Sequence, residues 1–314
     1  MLLLTMYHCY KVNNSHCSIE AKRWEEVGES FLKEQMLIEL KDVTVTPLSS
    51  HGKRETPIIR NVNFQLKQGE WVSLVGANGS GKSTLIRLAA GLRVDGAAGE
   101  AARYGAGGVS PRTVPVVLQQ PDASLVGSTP WEDAVLMLEQ HGLPAELIVP
   151  RAEAALRRIG LGERMSQPVE TLSGGQKQLA AIAGCLAAHP AVLLLDEATS
   201  MLDPLASHDV LELVRSLHAG GMAVVWATQR MEELRPSDRT VVMADGAVAY
   251  DGAAEGLFAR SDAPLPGGLS RGEQLGLTAP YAVRVAWELQ QRGIALSRLP
   301  FDAAGLAEAV TGHG

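Results

Sequence analysis

The 314-residue chain has no apolar run approaching the length of a membrane span, which excludes a transmembrane helix. It also lacks a signal-peptide core: the opening Met1-Leu2-Leu3-Leu4 is too short and gives way to polar residues. Cysteine is scarce. Cys9, Cys17 and Cys185 show no zinc-ligand spacing and cannot all pair with one another, so a reduced, cytosolic chain is expected. Cys185 lies in the apolar run Leu179-Ala180-Ala181-Ile182-Ala183-Gly184-Cys185-Leu186 and reads as a small core residue. A basic surplus is missing too. Lys and Arg number 28 against 35 Asp and Glu, a net charge of −7, so no excess is left to neutralise nucleic-acid phosphates and no nucleic-acid partner is expected. No heptad run is present. What remains is 46% hydrophobic and 20% charged residues, enough to build one large or two medium domains around a buried core.

Residues 1–35 hold two of the three cysteines and show no pattern that leads into a core. They are expected to be disordered or a misassigned start, with translation beginning at Met36; a helical extension around residues 24–32 is the alternative. From Met36-Leu37-Ile38-Glu39-Leu40 onward, strands and helices alternate. Val62-Asn63-Phe64-Gln65-Leu66 alternates at period two, as a half-buried strand does. The Gly/Ala-rich residues 94–108 predict a short irregular hairpin, Val114-Pro115-Val116-Val117-Leu118 a strand ending at Gln119, and residues 131–188 a largely helical stretch. Ala191-Val192-Leu193-Leu194-Leu195 and Met222-Ala223-Val224-Val225-Trp226-Ala227 are continuous apolar runs, as in strands covered on both faces. Pro204 and Gly220-Gly221 bracket a helix between them, and residues 240–250 read as a hairpin. The alternation predicts an α/β fold with a mainly parallel sheet. Residues 259–278, rich in Gly, Pro and Ser, predict a linker. Residues 279–314 then predict two amphipathic helices. The first carries Ala282, Val285, Ala286 and Leu289 on its apolar stripe and ends at Gly293; the second has Asp302 as N-cap and the stripe Ala303, Leu306, Ala307, Val310.

Three motifs carry chemistry. Gly76-Ala77-Asn78-Gly79-Ser80-Gly81-Lys82-Ser83 fits G-x-x-x-x-G-K-[ST], between the strand Trp71-Val72-Ser73-Leu74-Val75 and a helix that runs on through Thr84. Its backbone N–H groups form a nest for phosphate oxygens, reinforced by the helix dipole. Lys82 can reach the β- and γ-phosphates, and the Ser83 hydroxyl can ligate Mg²⁺. Asp196-Glu197 ends an apolar strand, on the side where open α/β sheets bind ligands. Asp196 suits a direct or water-mediated Mg²⁺ contact, and Glu197 suits a base for the attacking water. Leu172-Ser173-Gly174-Gly175-Gln176 opens a helix with Ser173 as N-cap. It is either an ordinary cap or a second phosphate site that serves a nucleotide held by a partner subunit.

In this order the motifs resemble those of the ATP-binding subunits of ABC transporters, over about residues 36–258. Residues 76–83 match Walker A, Gln119 the Q-loop, residues 172–176 the signature, residues 193–197 Walker B, and Ser200-Met201-Leu202-Asp203 the D-loop. The resemblance implies a P-loop NTPase (RecA-like) core with an antiparallel β subdomain, a helical signature subdomain, and a small C-terminal helical extension. It implies ATP and Mg²⁺ as ligands. Gly76, Asn78, Gly79, Ser80, Gly81, Lys82, Ser83, Thr84 and Gln119 would contact the nucleotide, and Ser83, Gln119 and Asp196 the metal. Ser173, Gly175 and Gln176 would serve a second ABC ATPase subunit, like or related.

A narrower likeness is to the energy-coupling factor branch. It rests on residues 118–129 and on Leu275-Gly276-Leu277-Thr278-Ala279-Pro280 with Glu288-Leu289-Gln290-Gln291-Arg292-Gly293-Ile294. That branch drives uptake of vitamins or of cobalt or nickel ions. It implies a transmembrane coupling protein and a substrate-binding membrane protein as partners, and a peripheral place on the cytoplasmic face of the cell membrane. A soluble non-transport ABC ATPase and a weakly hydrolysing regulatory subunit are the alternatives. The chain's single cassette and missing heptads weigh against the first, and Glu197 against the second.

Two positions depart from the pattern. Gln229, in Ala227-Thr228-Gln229-Arg230, stands where the family has its switch histidine. It can donate an amide N–H to a γ-phosphate oxygen but carries no charge, so slower hydrolysis is expected at this subunit's own site. Pro47 stands where an aromatic would stack on adenine, with His51 as a possible substitute contact. Asp133, with Glu132 second, is the candidate for meeting a basic helix of the membrane partner; a solvated acidic first turn is the alternative.

Overall fold

The computed structural model describes residues 35–47, 56–105, 113–120, 124–260, 268–294 and 296–311. The expectations for residues 1–34, Cys9, Cys17 and His51 lie outside them. The chain runs β1 (Met36–Val45), β2 (Ile59–Lys67), β3 (Trp71–Val75), α1 (Lys82–Ala90), β4 (Ala97–Arg103) and β5 (Val116–Val117). Three packed helices follow, α2 (Pro130–Gln140), α3 (Ala145–Arg158) and α4 (Gly174–Ala187). Then come β6 (Val192–Asp196), α5 (Pro204–Ala219), β7 (Ala223–Ala227), β8 (Arg239–Ala244) and β9 (Ala247–Ala253). The last elements are α6 (Ala254–Phe258), α7 (Arg271–Gln274), α8 (Tyr281–Gln291) and α9 (Ala303–Thr311).

Six strands form one sheet in the order β5-β6-β7-β3-β8-β9, parallel except for the β8–β9 hairpin. A second sheet has the order β2-β1-β4, with β1 and β4 antiparallel. Every residue of β3, β6 and β7 is buried, which is why they read as unbroken apolar runs. Alternate residues serve opposite layers. Leu193, Leu195, Val224 and Trp226 pack with helices α2 to α5. Val192, Leu194, Val225 and Ala227 pack with α1 and with Ile38, Leu40, Phe64 and Leu66 of the second sheet. Each fully buried Leu or Val here contributes about 2 kcal/mol of transfer free energy. Cys185 is buried in the first layer, and burial pushes its thiol up to about 12.

The structure departs from the sequence expectation at four places. Residues 97–103 form a single strand across β1 rather than one arm of a local hairpin. The described part of the expected linker, residues 268–278, carries α7, closed by a capping box between Ser270 and Glu273. Leu277 there joins Val75, Val242, Leu257, Phe258 and Trp287 in a third cluster, so this segment is packed. On α8 the buried residues are Ala282, Val283, Ala286 and Trp287, not Val285 and Leu289, because the large Trp287 ring seats beneath the Arg260 guanidinium at 3.8 Å. On α9 only Ala309 is buried, although Asp302 does cap the helix through the Gly305 amide at 2.6 Å.

Candidate functional site

β3 leads into Gly76, whose φ of +147° opens the phosphate loop. A Cβ there would lie 2.3 Å from the Met243 carbonyl oxygen, so only glycine fits. The loop closes through the Ser80 amide on the Ala77 carbonyl at 3.2 Å and enters α1 at Gly81, φ +105°. Gly81 supplies no side-chain cap, so the first amides of α1 are left to whatever binds in the loop. The buried Ser80 hydroxyl has no hydrogen-bond partner among the described residues. Lys82, 4% exposed, folds back onto the carbonyls of Gly76 at 2.8 Å and Ala77 at 3.1 Å.

The opposite wall comes from the loops after β5, β6 and β7, which the parallel sheet places side by side. Asp196 receives the Ser83 hydroxyl at 3.1 Å, and burial pushes its carboxyl above the ordinary aspartate range. Glu197 has φ +52°, a conformation that costs a non-glycine residue about 1–3 kcal/mol and persists only where the surroundings enforce it. Its amide is tied to the Ala227 carbonyl at 3.0 Å. Three donors converge on its carboxylate: Lys82 Nζ at 3.6 Å, Gln119 Nε2 at 3.4 Å, and Gln229 Nε2. Asn78, Gly79, Gly81, Lys82, Ser83, Thr84, Gln119, Glu197 and Gln229 line one cleft of about 250 Å³. Residues from four separate loops thus meet around a basic, amide-rich nest faced by two carboxylates. That donor set suits a polyphosphate, and the Ser83–Asp196 oxygen pair suits a hard cation such as Mg²⁺.

Ser173, Gly175 and Gln176 do not line this cleft. Ser173 caps α4 in a complete capping box with Gln176. A Cβ on Gly175 would lie 2.9 Å from that of Ala206, so glycine permits close packing of α4 on the start of α5. Asp133 is not a surface residue. It is 5% exposed and accepts the Val126 amide at 2.8 Å and the Gly127 amide at 3.2 Å. Burial pushes its carboxyl above the ordinary range, and that burial removes it from any face a membrane partner could touch. Glu132 is exposed but accepts the Ser128 amide at 3.0 Å, bracing the turn into α2. Pro47 does not line the cleft, whereas Ile58 does. Sequence reading gave no signal for Ile58, which precedes the strand residue Ile59 and belongs to no motif. The Ile58 amide on the Val45 carbonyl at 2.8 Å brings it beside the loop.

Residues 59–200 match the ABC transporter family model. The energy-coupling factor transporter ATP-binding protein EcfA1 of Streptococcus pyogenes is 37% identical over 281 residues, which cover 87% of this chain and 94% of the relative. The chain belongs to this ABC ATPase family. Its fold agrees with solved cassettes. CbiO1 of Clostridium perfringens, described as part of the ABC transporter complex cbiONQ, matches 70% of this chain and 89% of its own with TM-score 0.58 and 26% identity. A dimeric ATP-binding cassette in a post-hydrolysis state, bound to ADP and phosphate, matches 69% of this chain and 98% of its own with TM-score 0.59 and 27% identity. The chain is therefore an ABC ATPase with a nucleotide-binding, P-loop α/β core. Among the described residues, no helix is long and apolar enough to cross a membrane.

Proposed function

We propose that this ATPase energises an energy-coupling factor importer, pairing with a like or related ATPase subunit on the cytoplasmic face of the membrane. Its membrane partners would be a transmembrane coupling protein and a substrate-binding membrane protein. Residues 36–258 act as the nucleotide-binding cassette, and residues 279–314 as a helical extension. The observation that carries the reading is the convergence of Lys82, Gln119, Glu197 and Gln229 on one cleft beside the Ser83–Asp196 pair.

Lys82 and the loop amides hold the phosphates of ATP. When the site is loaded, Lys82 turns from the Gly76 and Ala77 carbonyls and from Glu197 toward phosphate oxygens. Ser83, Asp196 and Gln119 would hold Mg²⁺, which would supply charge neutralisation to the polyphosphate. Glu197 accepts a proton from the attacking water. Gln229, whose amide donates to Glu197, directs an amide N–H at the γ-phosphate. Ser173, Gly175 and Gln176 serve the nucleotide held by the paired subunit. Glu197→Gln should lower ATP turnover of the assembled complex by about a thousandfold while ATP binding persists in a closed pair. Normal hydrolysis by that variant would exclude Glu197 as the base. Measured alongside, Gln229→His should turn over several times faster than wild type; equal rates would show that the amide serves as well as an imidazole.

A further inference from the structure

The loops that carry Glu197 and Gln229 are joined behind the cleft by a carboxylate that the chemistry above does not use. Glu233 lies in a 3₁₀ turn, Met231–Glu233, four residues beyond Gln229. It is buried, at 8% exposure, without a cationic side chain on its carboxylate among the described residues. Both of its oxygens are spoken for. The Thr199 hydroxyl, two residues beyond Glu197, donates to Oε1 at 2.6 Å. The Trp226 indole, from β7 just before the switch turn, donates to Oε2 at 2.8 Å. The Glu233 backbone carbonyl takes Arg215 Nη2 at 3.2 Å, and Arg215 is itself held by Asp238 through Nη1 at 2.7 Å. A second tie runs parallel: Arg230 Nη1 donates to the Ser207 hydroxyl at 2.9 Å, which in turn donates to the Thr199 carbonyl at 3.3 Å.

This connection has a consequence for the reacting groups. Glu197 sits in a left-handed conformation that its own residue type disfavours, so its carboxylate is placed by its neighbours. The turn behind it is fixed by the Ser200 amide and hydroxyl, both on the Glu197 carbonyl, at 3.0 and 2.9 Å. Thr199 lies within the same turn, two residues beyond Glu197, and among the described residues its side-chain anchor is Glu233. Shifting Thr199 therefore rotates Glu197, and shifting the 3₁₀ turn displaces Gln229. One buried carboxylate holds both at a fixed separation. Resting on the assignment of Glu197 as base, we propose that Glu233 is a positioning residue: through Thr199 and Trp226 it sets the spacing between the catalytic base and the switch amide.

The test is steady-state Mg·ATP hydrolysis by the full-length chain co-purified with its native partners. Thr199→Val keeps the side-chain shape and removes the donor. It should lower kcat by about tenfold with KM for ATP moved less than about twofold, because misplacement of a reacting group acts on the chemical step while the phosphate loop is untouched. Glu233→Leu should lower kcat by about a hundredfold. Glu233→Gln should recover most of that loss, since its amide oxygen accepts from Trp226 and its amide nitrogen donates to the Thr199 hydroxyl. Unchanged kcat in Thr199→Val would overturn the proposal, as would parallel losses of kcat and ATP binding, or failure of Glu233→Gln to rescue. Thr199→Val keeps the test decisive if Glu233→Leu does not fold. Glu197→Gln, assayed alongside, separates the two levels. If it hydrolyses normally, the assignment of the base fails; if it is inactive while Thr199→Val is normal, only the positioning role fails.

Discussion

Two helices in this chain begin beside glycine-containing loops, and their N-termini are finished in opposite ways. α1 starts at Gly81 without a side-chain cap, next to a buried lysine and a serine hydroxyl with no hydrogen-bond partner among the described residues. α4 starts at Ser173, whose hydroxyl takes the Gln176 amide at 3.3 Å while the Gln176 side chain takes the Ser173 amide at 3.0 Å. Both ends offer a positive dipole to an anion. The first has no side-chain cap and sets a buried lysine beside its amides. The second is satisfied from within, so an anion there competes with the cap. The physics favours a primary phosphate site at α1, and at α4 a surface that engages a nucleotide already held elsewhere.

The largest effect that could break this comparison is at Lys82. Lys82→Ala should weaken ATP binding to the isolated chain by about a hundredfold, since truncating one partner of a buried charge pair costs about 3 kcal/mol. A nucleotide titration checks it. Ser173→Ala should leave that titration within about twofold, cost the fold about 1 kcal/mol through the lost cap, and lower hydrolysis by the assembled pair about a hundredfold. Loss of ATP binding in isolated Ser173→Ala would erase the distinction between the two termini. The smallest effect sharpens it from the side of stability. Burial raises the folded-state pKa of Asp196, so its contribution to stability is present below the ordinary aspartate pKa and is lost as pH rises through the raised value. Above that raised value the ionised carboxylate therefore disfavours the folded chain. Asp196→Asn should raise Tm by a few degrees at pH 7, with the gap closing below about pH 4. Equal gaps at both pH values, by thermal unfolding without nucleotide, would count against it.

The central strands were legible because burial on both faces leaves only apolar residues, as in Val192–Asp196 and Ala223–Ala227. The phosphate loop was legible because its glycines answer a backbone need that no other residue meets, as the close approach of Gly76 to Met243 shows. Periodicity served less well at the C-terminal end. It identified α8 and α9 as helices, but which stripe packs was decided by where Trp287 finds room against Phe258 and Phe301. Asp133 was misjudged because an acidic residue in a first helical turn looks solvated; here the Val126 and Gly127 amides take it inward. Composition gave no sign that Leu277 would be buried.

The order of short motifs along the chain determined by itself that it holds a phosphate-binding α/β core and pointed to Asn78, Gly79, Gly81, Lys82, Ser83, Thr84, Gln119, Glu197 and Gln229, which line one cleft. Those motifs are local: each needs only a turn, a strand end or a helix start, and a few residues encode it. What the tertiary structure decided is how such pieces meet. Lys82, Gln119 and Gln229 all reach Glu197 because four parallel strand ends lie side by side. Glu233 ties two of those ends together through Thr199 and Trp226. Contacts between residues far apart in the chain depend on register and packing, and no short window of sequence contains them.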